Sequence, residues 1–149
     1  MDAIDRKILA QLQANARASL QDIGHAVGLS SSPCWGRIRK MEEAGVIEGY
    51  TVRLNAQALG LNDTVLVQVT LDSHSDNTLE KFGETLAAIP EVVEAYLLSG
   101  EYDYLLRVAV KDTRDYERLL RERLYKIKGI RHSKSSFVLR TLKKADLPL

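Results

Sequence analysis

Apolar residues recur every three or four positions between Ile4 and Met41, which is the spacing of one face of an α-helix. The pattern predicts three short helices, the first running from about Asp2 to Asn15 with Asp2 as its N-cap. The predicted inward positions are Ile4, Ile8, Leu9 and Leu12 in the first helix, Leu20, Ile23 and Val27 in the second, and Cys34, Ile38 and Met41 in the third. The three stripes predict a small helical core.

The junction between the second and third helices carries the residues of a sharp turn. Gly28 stands where such a turn needs a positive φ, and Gly24 lets the two helices approach closely. Ser30–Ser32 are candidate N-caps, and Pro33 falls in the first turn of the third helix, where its missing N–H costs nothing. This arrangement predicts a helix-turn-helix whose third helix is the recognition helix.

The apolar period changes to two near Thr64, where Val65, Val67, Val69 and Leu71 alternate with more polar residues. Further elements are predicted in this order: a helix stopped by Pro90, a strand from about Val92 to Ser99, a turn at Gly100–Asp103, a strand ending at Val110, a helix capped by Asp112-Thr113 and ended by Gly129, and a strand from about Ser135 to Leu142. The order βαββαβ predicts a four-stranded antiparallel sheet with both helices on one face. The predicted fold class is α+β, a winged or plain helix-turn-helix followed by a ferredoxin-like domain.

The face of the predicted sheet that points away from its helices is neither apolar nor fully polar. Its predicted residues are Leu66, Gln68, Thr70, Leu105, Arg107 and Ala109. We interpret this face as a subunit interface. The alternative is the half-wet open sheet that antiparallel strands tolerate.

The change of period also predicts the domain boundaries. We predict a helix-turn-helix domain over residues 1–53, a linker over 54–62 and a ferredoxin-like domain over 63–149. The segment Val46–Arg53 is rich in residues that favour strands, and it either pairs as a short wing or leads straight into the linker.

Composition narrows the classes of function. The chain has 149 residues and a net charge of +1, so a nucleic-acid binder of this composition must place its cations locally and act in more than one copy. One cysteine excludes an internal disulfide framework, and one cysteine with three scattered histidines predicts no metal site. Without a long apolar run near the N-terminus we expect neither a signal peptide nor a membrane span, and hence a cytoplasmic protein.

The outer face of the third helix has the chemistry of a DNA-binding surface. The candidate DNA-binding residues are Ser30, Ser31, Ser32, Trp35, Arg37, Arg39 and Lys40, a set with three cations and no acid. Cations and hydroxyls at a helix N-terminus suit phosphate contacts, and longer side chains reach base edges. The alternative is an ordinary solvated face with a few basic residues.

These residues resemble a known family, the Lrp/AsnC or feast/famine transcription regulators of bacteria and archaea. The resemblance covers essentially the whole chain and rests on Asp5-Arg6-Lys7-Ile8-Leu9, Val27-Gly28-Leu29-Ser30, Pro33-Cys34, Arg37-Ile38, Gly45-Val46-Ile47 and Gly49-Tyr50. It implies a regulator of amino-acid metabolism genes that binds double-stranded DNA as a homodimer, assembles into octamers or other sets of dimers, and binds an amino acid between dimers. This chain departs from the family pattern in carrying Gly36 inside the recognition helix. A glycine there costs about 1 kcal/mol of helix stability relative to alanine.

The resemblance places an effector pocket beside the turn Gly100–Asp103. The candidate effector-binding residues are Ser99, Gly100, Glu101, Tyr102, Asp103, Tyr104, His132, Ser135 and Ser136, the last two from a neighbouring subunit. Their acids would accept from an ammonium group and their hydroxyls would donate to a carboxylate, while the two tyrosines and the histidine either wall the site or only pack. Glycine and aspartate are equally typical of an ordinary hairpin turn. We expect no other cofactor.

Two other classes of function compete with this interpretation. An RNA-recognition domain shares the βαββαβ order, but the strand from Val65 to Leu71 carries none of the aromatic residues on which such domains stack bases. An enzyme would need paired carboxylates, an activated nucleophile, a phosphate loop or a metal cluster, and the sequence displays none of these patterns. We therefore predict that the protein is not an enzyme.

Overall fold

The computed structural model describes residues 1–73, 76–145 and 147–148, and it divides into two compact units. The first unit comprises residues 1–53 and the C-terminal segment from Lys143, and the second comprises Leu54–Leu142. Within the first unit, the side-chain amide of Gln13 donates to the carbonyl oxygen of Leu147 at 3.3 Å. The C-terminal segment therefore lies with the helical unit in this structure. The domain boundaries given above remain predictions.

The first unit contains the three expected helices, α1 (Ala3–Ala14), α2 (Leu20–Val27) and α3 (Ser31–Glu43). Helix α1 begins with a reciprocal capping box, because the Asp2 carboxylate accepts from the Asp5 N–H while the Asp5 carboxylate accepts from the Asp2 N–H. The predicted N-cap at Asp2 is thus confirmed.

The turn between α2 and α3 uses both predicted glycines. Gly28 has φ 76°, in the left-handed region that favours glycine. A Cβ built on Gly24 would lie 2.6 Å from the carbonyl oxygen of Leu29, so only glycine allows this approach. The backbone N–H of Leu29 donates to the carbonyl oxygen of Gly24 at 2.8 Å, which closes the turn.

The helical core contains the predicted stripes. Its buried residues are Ile8, Leu9, Ile23, Cys34, Ile38 and Met41, with Ile4, Leu12, Leu20 and Val27 packed around them. Burial raises the pKa of the Cys34 thiol, which keeps it protonated and unreactive. Cys34 is therefore a core residue.

The second unit is a ferredoxin-like α+β domain, as predicted. Its elements are β1 (Asp63–Leu71), α4 (Asp76–Ala87), β2 (Val92–Leu97), β3 (Tyr104–Val110), α5 (Thr113–Glu122) and β4 (Ile130–Phe137). The strands are antiparallel in the order β2-β3-β1-β4. One sheet face carries the core, in which Val65, Val67, Val69, Leu106, Val108 and Val110 are fully buried beneath the helices with Phe82, Leu86, Tyr116 and Leu119.

The last strand begins earlier than the sequence indicated. The prediction began at about Ser135, whereas β4 begins at Ile130, directly after Gly129 with φ 96°. The cause is that its first half is an exposed, charged edge strand, so it lacks the apolar alternation of a strand with one buried face. Strand β2 likewise ends at Leu97 rather than at Ser99.

Two further segments were predicted incompletely: the end of α5 and the residues that follow α3. Helix α5 ends at Glu122, and a 3₁₀ turn over Leu124–Lys126 buries Leu124 in place of the predicted continuous helix. Residues 46–53 form no strand, so this segment leads into the predicted linker without pairing as a wing. Part of that linker forms a 3₁₀ turn at Gln57–Leu59.

Candidate nucleic-acid interface and effector region

The outward face of α3 presents most of the predicted DNA-binding residues to solvent. Ser30, Ser31, Ser32, Arg39 and Lys40 are exposed, and half of the Trp35 surface is accessible. No side chain caps α3 at Ser30, and this leaves the backbone N–H groups of its first turn available to an anion. A phosphate group fits this end of the helix.

Arg39 is held in place on that face by two neighbours. Its guanidinium carbon lies 5.4 Å from the centroid of the Trp35 ring, and its Nε donates to the Glu43 carboxylate at 2.8 Å. Both partners are one turn away on the same helix, so the side chain is oriented while its terminal nitrogens remain open to solvent. Preorientation of this kind suits contact with a base edge or a phosphate.

Arg37, by contrast, has two carboxylate partners within the protein. Its Nη1 lies 2.7 Å from the Asp2 carboxylate and 2.7 Å from the Asp5 carboxylate, and the side chain is 32% exposed. The backbone N–H of Asp5, followed by the Arg37 guanidinium, lowers the pKa of Asp2 to about 2, so this carboxyl is charged at neutral pH. The three charged side chains, which we call the Arg37 clamp, connect α3 to the beginning of α1.

An open groove of about 620 Å³ runs along the same unit beside α3. Its lining residues are Met1, Asp5, Pro33, Gly36, Arg37, Lys40, Met41, Ala44 and Val46. The sequence did not predict this groove, because it forms where Met1 and Asp5 meet residues of α3 that lie about thirty positions further along the chain.

In the second unit, Asp103 ties the predicted effector turn to the sheet. Its carboxylate accepts from the Leu71 N–H at 2.7 Å, its own N–H donates to the Val69 carbonyl at 2.9 Å, and its carbonyl accepts from the Leu98 N–H at 2.8 Å. Gly100 in the same turn has φ 135°. Ser99, Gly100 and Glu101 are exposed, and Tyr102 is half-buried. The turn is thus a fixed platform with exposed polar groups.

The other predicted effector residues are not gathered on one surface. Tyr104 is only 4% exposed, and its hydroxyl donates to the Leu79 carbonyl, so it packs in the core. Ser135 lies opposite Val67 on the helix-covered face, where its hydroxyl is 2.5 Å from that of Tyr116. Ser136 and His132 lie opposite Leu66 and Thr70, which places them on the open face. Within one chain the two serines therefore point to opposite sides of the sheet.

A second, smaller cavity lies beside Tyr104. It has a volume of about 380 Å³ and is lined by Leu79, Glu80, Gly83, Glu84, Leu97 and Tyr104. Tyr104 is the only predicted effector residue among those that line it. The sequence did not predict this mostly apolar cavity with two acidic residues, because α4, β2 and β3 contribute to it from positions that no local pattern connects.

The open face of the sheet is mixed in character, as predicted. Leu66 and Leu105 are half-buried there, while Arg107 donates to Glu94 at 2.6 Å and Tyr96 donates to the same carboxylate at 3.0 Å. Within the described ranges, no group of three or more potential metal ligands occurs, and no helix is long and apolar enough to cross a membrane.

Comparison with known proteins agrees with both units. Residues 1–42 match the AsnC-type helix-turn-helix domain, and residues 64–148 match the Lrp/AsnC ligand binding domain. The leucine-responsive regulatory protein of Escherichia coli is 36% identical over 98% of this chain and 89% of its own length.

Solved structures are similar over nearly the whole chain. An AsnC family transcriptional regulator from Agrobacterium tumefaciens is 42% identical with a TM-score of 0.94, covering 99% of this chain and 97% of that one. A transcriptional regulator from Neisseria meningitidis in complex with L-Met is 32% identical with a TM-score of 0.93, covering 99% and 96%. The protein described here belongs to the Lrp/AsnC family of transcription regulators.

Proposed function

We propose that this regulator binds duplex DNA through the outward face of α3 and adjusts that binding in response to a free amino acid, controlling genes of amino-acid metabolism in the cytoplasm. The observation that carries the DNA contact is the exposed face of Trp35, Arg39 and Lys40 beside an uncapped helix N-terminus. Ser30, Ser31 and Ser32 supply hydroxyls at that end. Arg37 is assigned mainly to the clamp with Asp2 and Asp5.

Footprinting on genomic fragments tests the DNA-binding proposal. A two-fold dimer places its two recognition helices in successive major grooves about 34 Å apart, so protections repeat with one helical turn. Binding restricted to single-stranded RNA, or protection without this period, would contradict the proposal.

We also propose that the protein forms a homodimer through the open face of its sheet. Half-buried Leu66 and Leu105 beside the paired Glu94 and Arg107 give this face a mixed character that suits a subunit interface. Pairing also brings two DNA-binding units to one operator, which compensates for a net charge of only +1 per chain. Further assembly of dimers into octamers or other sets is part of the proposal.

The effector site is proposed at the turn Gly100–Asp103, with Ser136 and His132 of a neighbouring subunit. Support comes from the exposed side chain of Glu101 and from Asp103, whose carboxylate is anchored to the Leu71 N–H. Ser136 and His132 lie on the open face of the sheet, where a second subunit could present them. The similarity to the Neisseria meningitidis regulator with L-Met favours an apolar or sulfur-containing amino acid. Neither a catalytic activity nor a further cofactor is proposed.

Calorimetric titration of the twenty amino acids tests the effector site. The variant Asp103→Asn keeps an oxygen that accepts from the Leu71 N–H but removes the charge, so it separates ligand binding from turn structure. We expect weaker binding of the amino acid that the wild type prefers. Equal affinity in the variant would place the site elsewhere.

A further inference from the structure

Gly36 stands inside the recognition helix, although glycine is among the residues that least favour a helix interior. Three other glycines of the helical unit are explained by contacts or backbone conformation within the protein. Gly24 makes room for the Leu29 carbonyl, and Gly28 and Gly45 have positive φ values. Position 36 differs from all three of these positions.

Nothing within the described part of the chain requires glycine at position 36. Gly36 is absent from the positions with positive φ, so its backbone conformation suits any residue. A Cβ built there meets no atom within 4 Å. The free protein has room for a side chain and would gain helix propensity from one. Any role for glycine at this position therefore involves a partner that occupies this space.

The position of Gly36 identifies that partner. Buried Cys34 and Ile38 stand two residues before and after it, so Gly36 lies on the opposite side of the helix, away from the core. Ser32 and Lys40 stand one turn before and after it on the same face. It also lines the groove of about 620 Å³ beside α3. Gly36 is thus a bare apolar patch in the middle of the DNA-binding surface.

We infer that Gly36 is a specificity-determining residue that admits the C5 methyl group of a thymine in the major groove. This inference rests on the proposed DNA contact of α3. The thymine methyl is the apolar group that projects from base pairs into that groove, and it packs against small apolar surfaces. The space without a Cβ lets the helix approach closely enough for this contact. A methyl side chain at position 36 occupies the same space.

Sequence selection from a randomised pool of duplex DNA tests the inference, with wild type and Gly36→Ala selected in parallel. We expect the wild type to enrich a site with a thymine at one position of each half-site, and Gly36→Ala to lose that preference. Affinity of Gly36→Ala for the wild-type site should fall about 10-fold, comparable to one mismatched base pair. Affinity for a shuffled duplex should stay within about twofold, because phosphate contacts do not involve Gly36.

Replacing that thymine by uracil removes only the methyl group and gives the sharpest comparison. Wild-type affinity should fall, whereas Gly36→Ala should bind both duplexes equally. The matched control is Gly83→Ala, since Gly83 is also partly exposed inside a helix and its Cβ would meet only ordinary contacts, 3.6 Å from the Tyr104 hydroxyl. Both alanine variants should melt a few degrees above the wild type. Gly83→Ala should select the wild-type site.

The outcomes separate this inference from the proposed function. Identical selected sites for wild type and Gly36→Ala, or no effect of uracil, overturn the role of Gly36 while leaving DNA binding intact. A lower melting temperature for Gly36→Ala also overturns it, because glycine would then serve the free protein. If the wild type enriches no sequence, both the inference and the proposed sequence-specific binding fail.

Discussion

At the scale of single residues, Arg37 has a different role from the other six residues that were predicted to bind DNA. Arg37 forms ion pairs with Asp2 and Asp5, whereas Arg39 pairs with Glu43 through Nε and keeps its terminal nitrogens open to solvent. The two arginines are only two positions apart, so they point to different sides of α3. This difference leads to opposite expectations for two alanine variants.

Arg37→Ala should destabilise the protein, and Arg39→Ala should weaken DNA binding. Loss of Arg37 leaves two close carboxylates without their cation, so the melting temperature should fall by a few degrees. Arg39→Ala should leave the melting temperature almost unchanged but reduce the salt dependence of log affinity by about one if Arg39 contacts a phosphate. Thermal melts and titrations at several salt concentrations check both. Equal stability of Arg37→Ala and the wild type would contradict the clamp.

The lowered pKa of Asp2 predicts a specific acid sensitivity. The carboxyl titrates at about 2 in the folded protein against 3.8 as the ordinary value, so the charged form stabilises the fold above about pH 4. That contribution disappears as the pH falls from about 4 to 2, because the unfolded chain binds the proton first. Asp2→Asn retains a capping oxygen but no charge, so its melting temperature should fall less across this range. Parallel curves for the two proteins would show that Asp2 contributes nothing to acid unfolding.

At the scale of secondary-structure elements, α2 makes a close backbone approach to the turn that follows it. The Leu29 carbonyl lies in the short segment that connects α2 to α3, and it faces Gly24. Because the contact is with backbone, the neighbouring atoms have little freedom to move aside. The geometry of the helix-turn-helix therefore depends on this position as well as on Gly28.

Gly24→Ala should destabilise the protein by about 1–3 kcal/mol, the usual cost of overpacking. The inserted methyl would lie 2.6 Å from the Leu29 oxygen, so α2 and α3 must shift apart. Denaturant unfolding gives the free-energy change, with Gly49→Ala as control because its Cβ meets nothing within 4 Å and its φ is not positive. An unchanged midpoint for Gly24→Ala would contradict the close approach.

At the scale of the whole molecule, the open sheet face is the surface on which the proposed assembly depends. Leu66 lies in the central strand β1 opposite Arg107 of β3 and Ser136 of β4, so a substitution there affects the middle of the face. Oligomeric state is the property that distinguishes an interface from a half-wet open sheet.

Leu66→Glu should reduce the mass of the assembly measured by light scattering, because burying a carboxylate in the proposed interface costs desolvation free energy and disfavours association. Leu59→Glu serves as control, since Leu59 is already exposed in the 3₁₀ turn of the same unit. DNA affinity should fall together with the mass, because one chain then contacts only one half-site. An unchanged mass for Leu66→Glu would favour the open-sheet alternative.

The sequence by itself determined the elements and the inward faces. The helical stripe at Ile8, Ile23 and Ile38 and the alternation at Val65–Val69 predicted the two cores, because side-chain direction follows from helix or strand geometry within a few residues. The left-handed turn at Gly28 was predictable for the same reason, since its cause is local. The charged edge strand β4 was predicted only in part, since edge exposure removes the pattern.

Only the tertiary structure decided which side chains meet. The partners of Arg37 lie 32 and 35 positions away, so the packing of α3 on α1 brings them together and no local pattern indicates it. Strand alternation by itself sends Ser135 and Ser136 to opposite faces of the sheet, but the register of β4 on β1 and the packing of α5 decided that Ser135 lies on the helix-covered face, with its hydroxyl beside that of Tyr116. Side-chain roles of this kind depend on contacts between distant segments, and these exist only once the elements have packed.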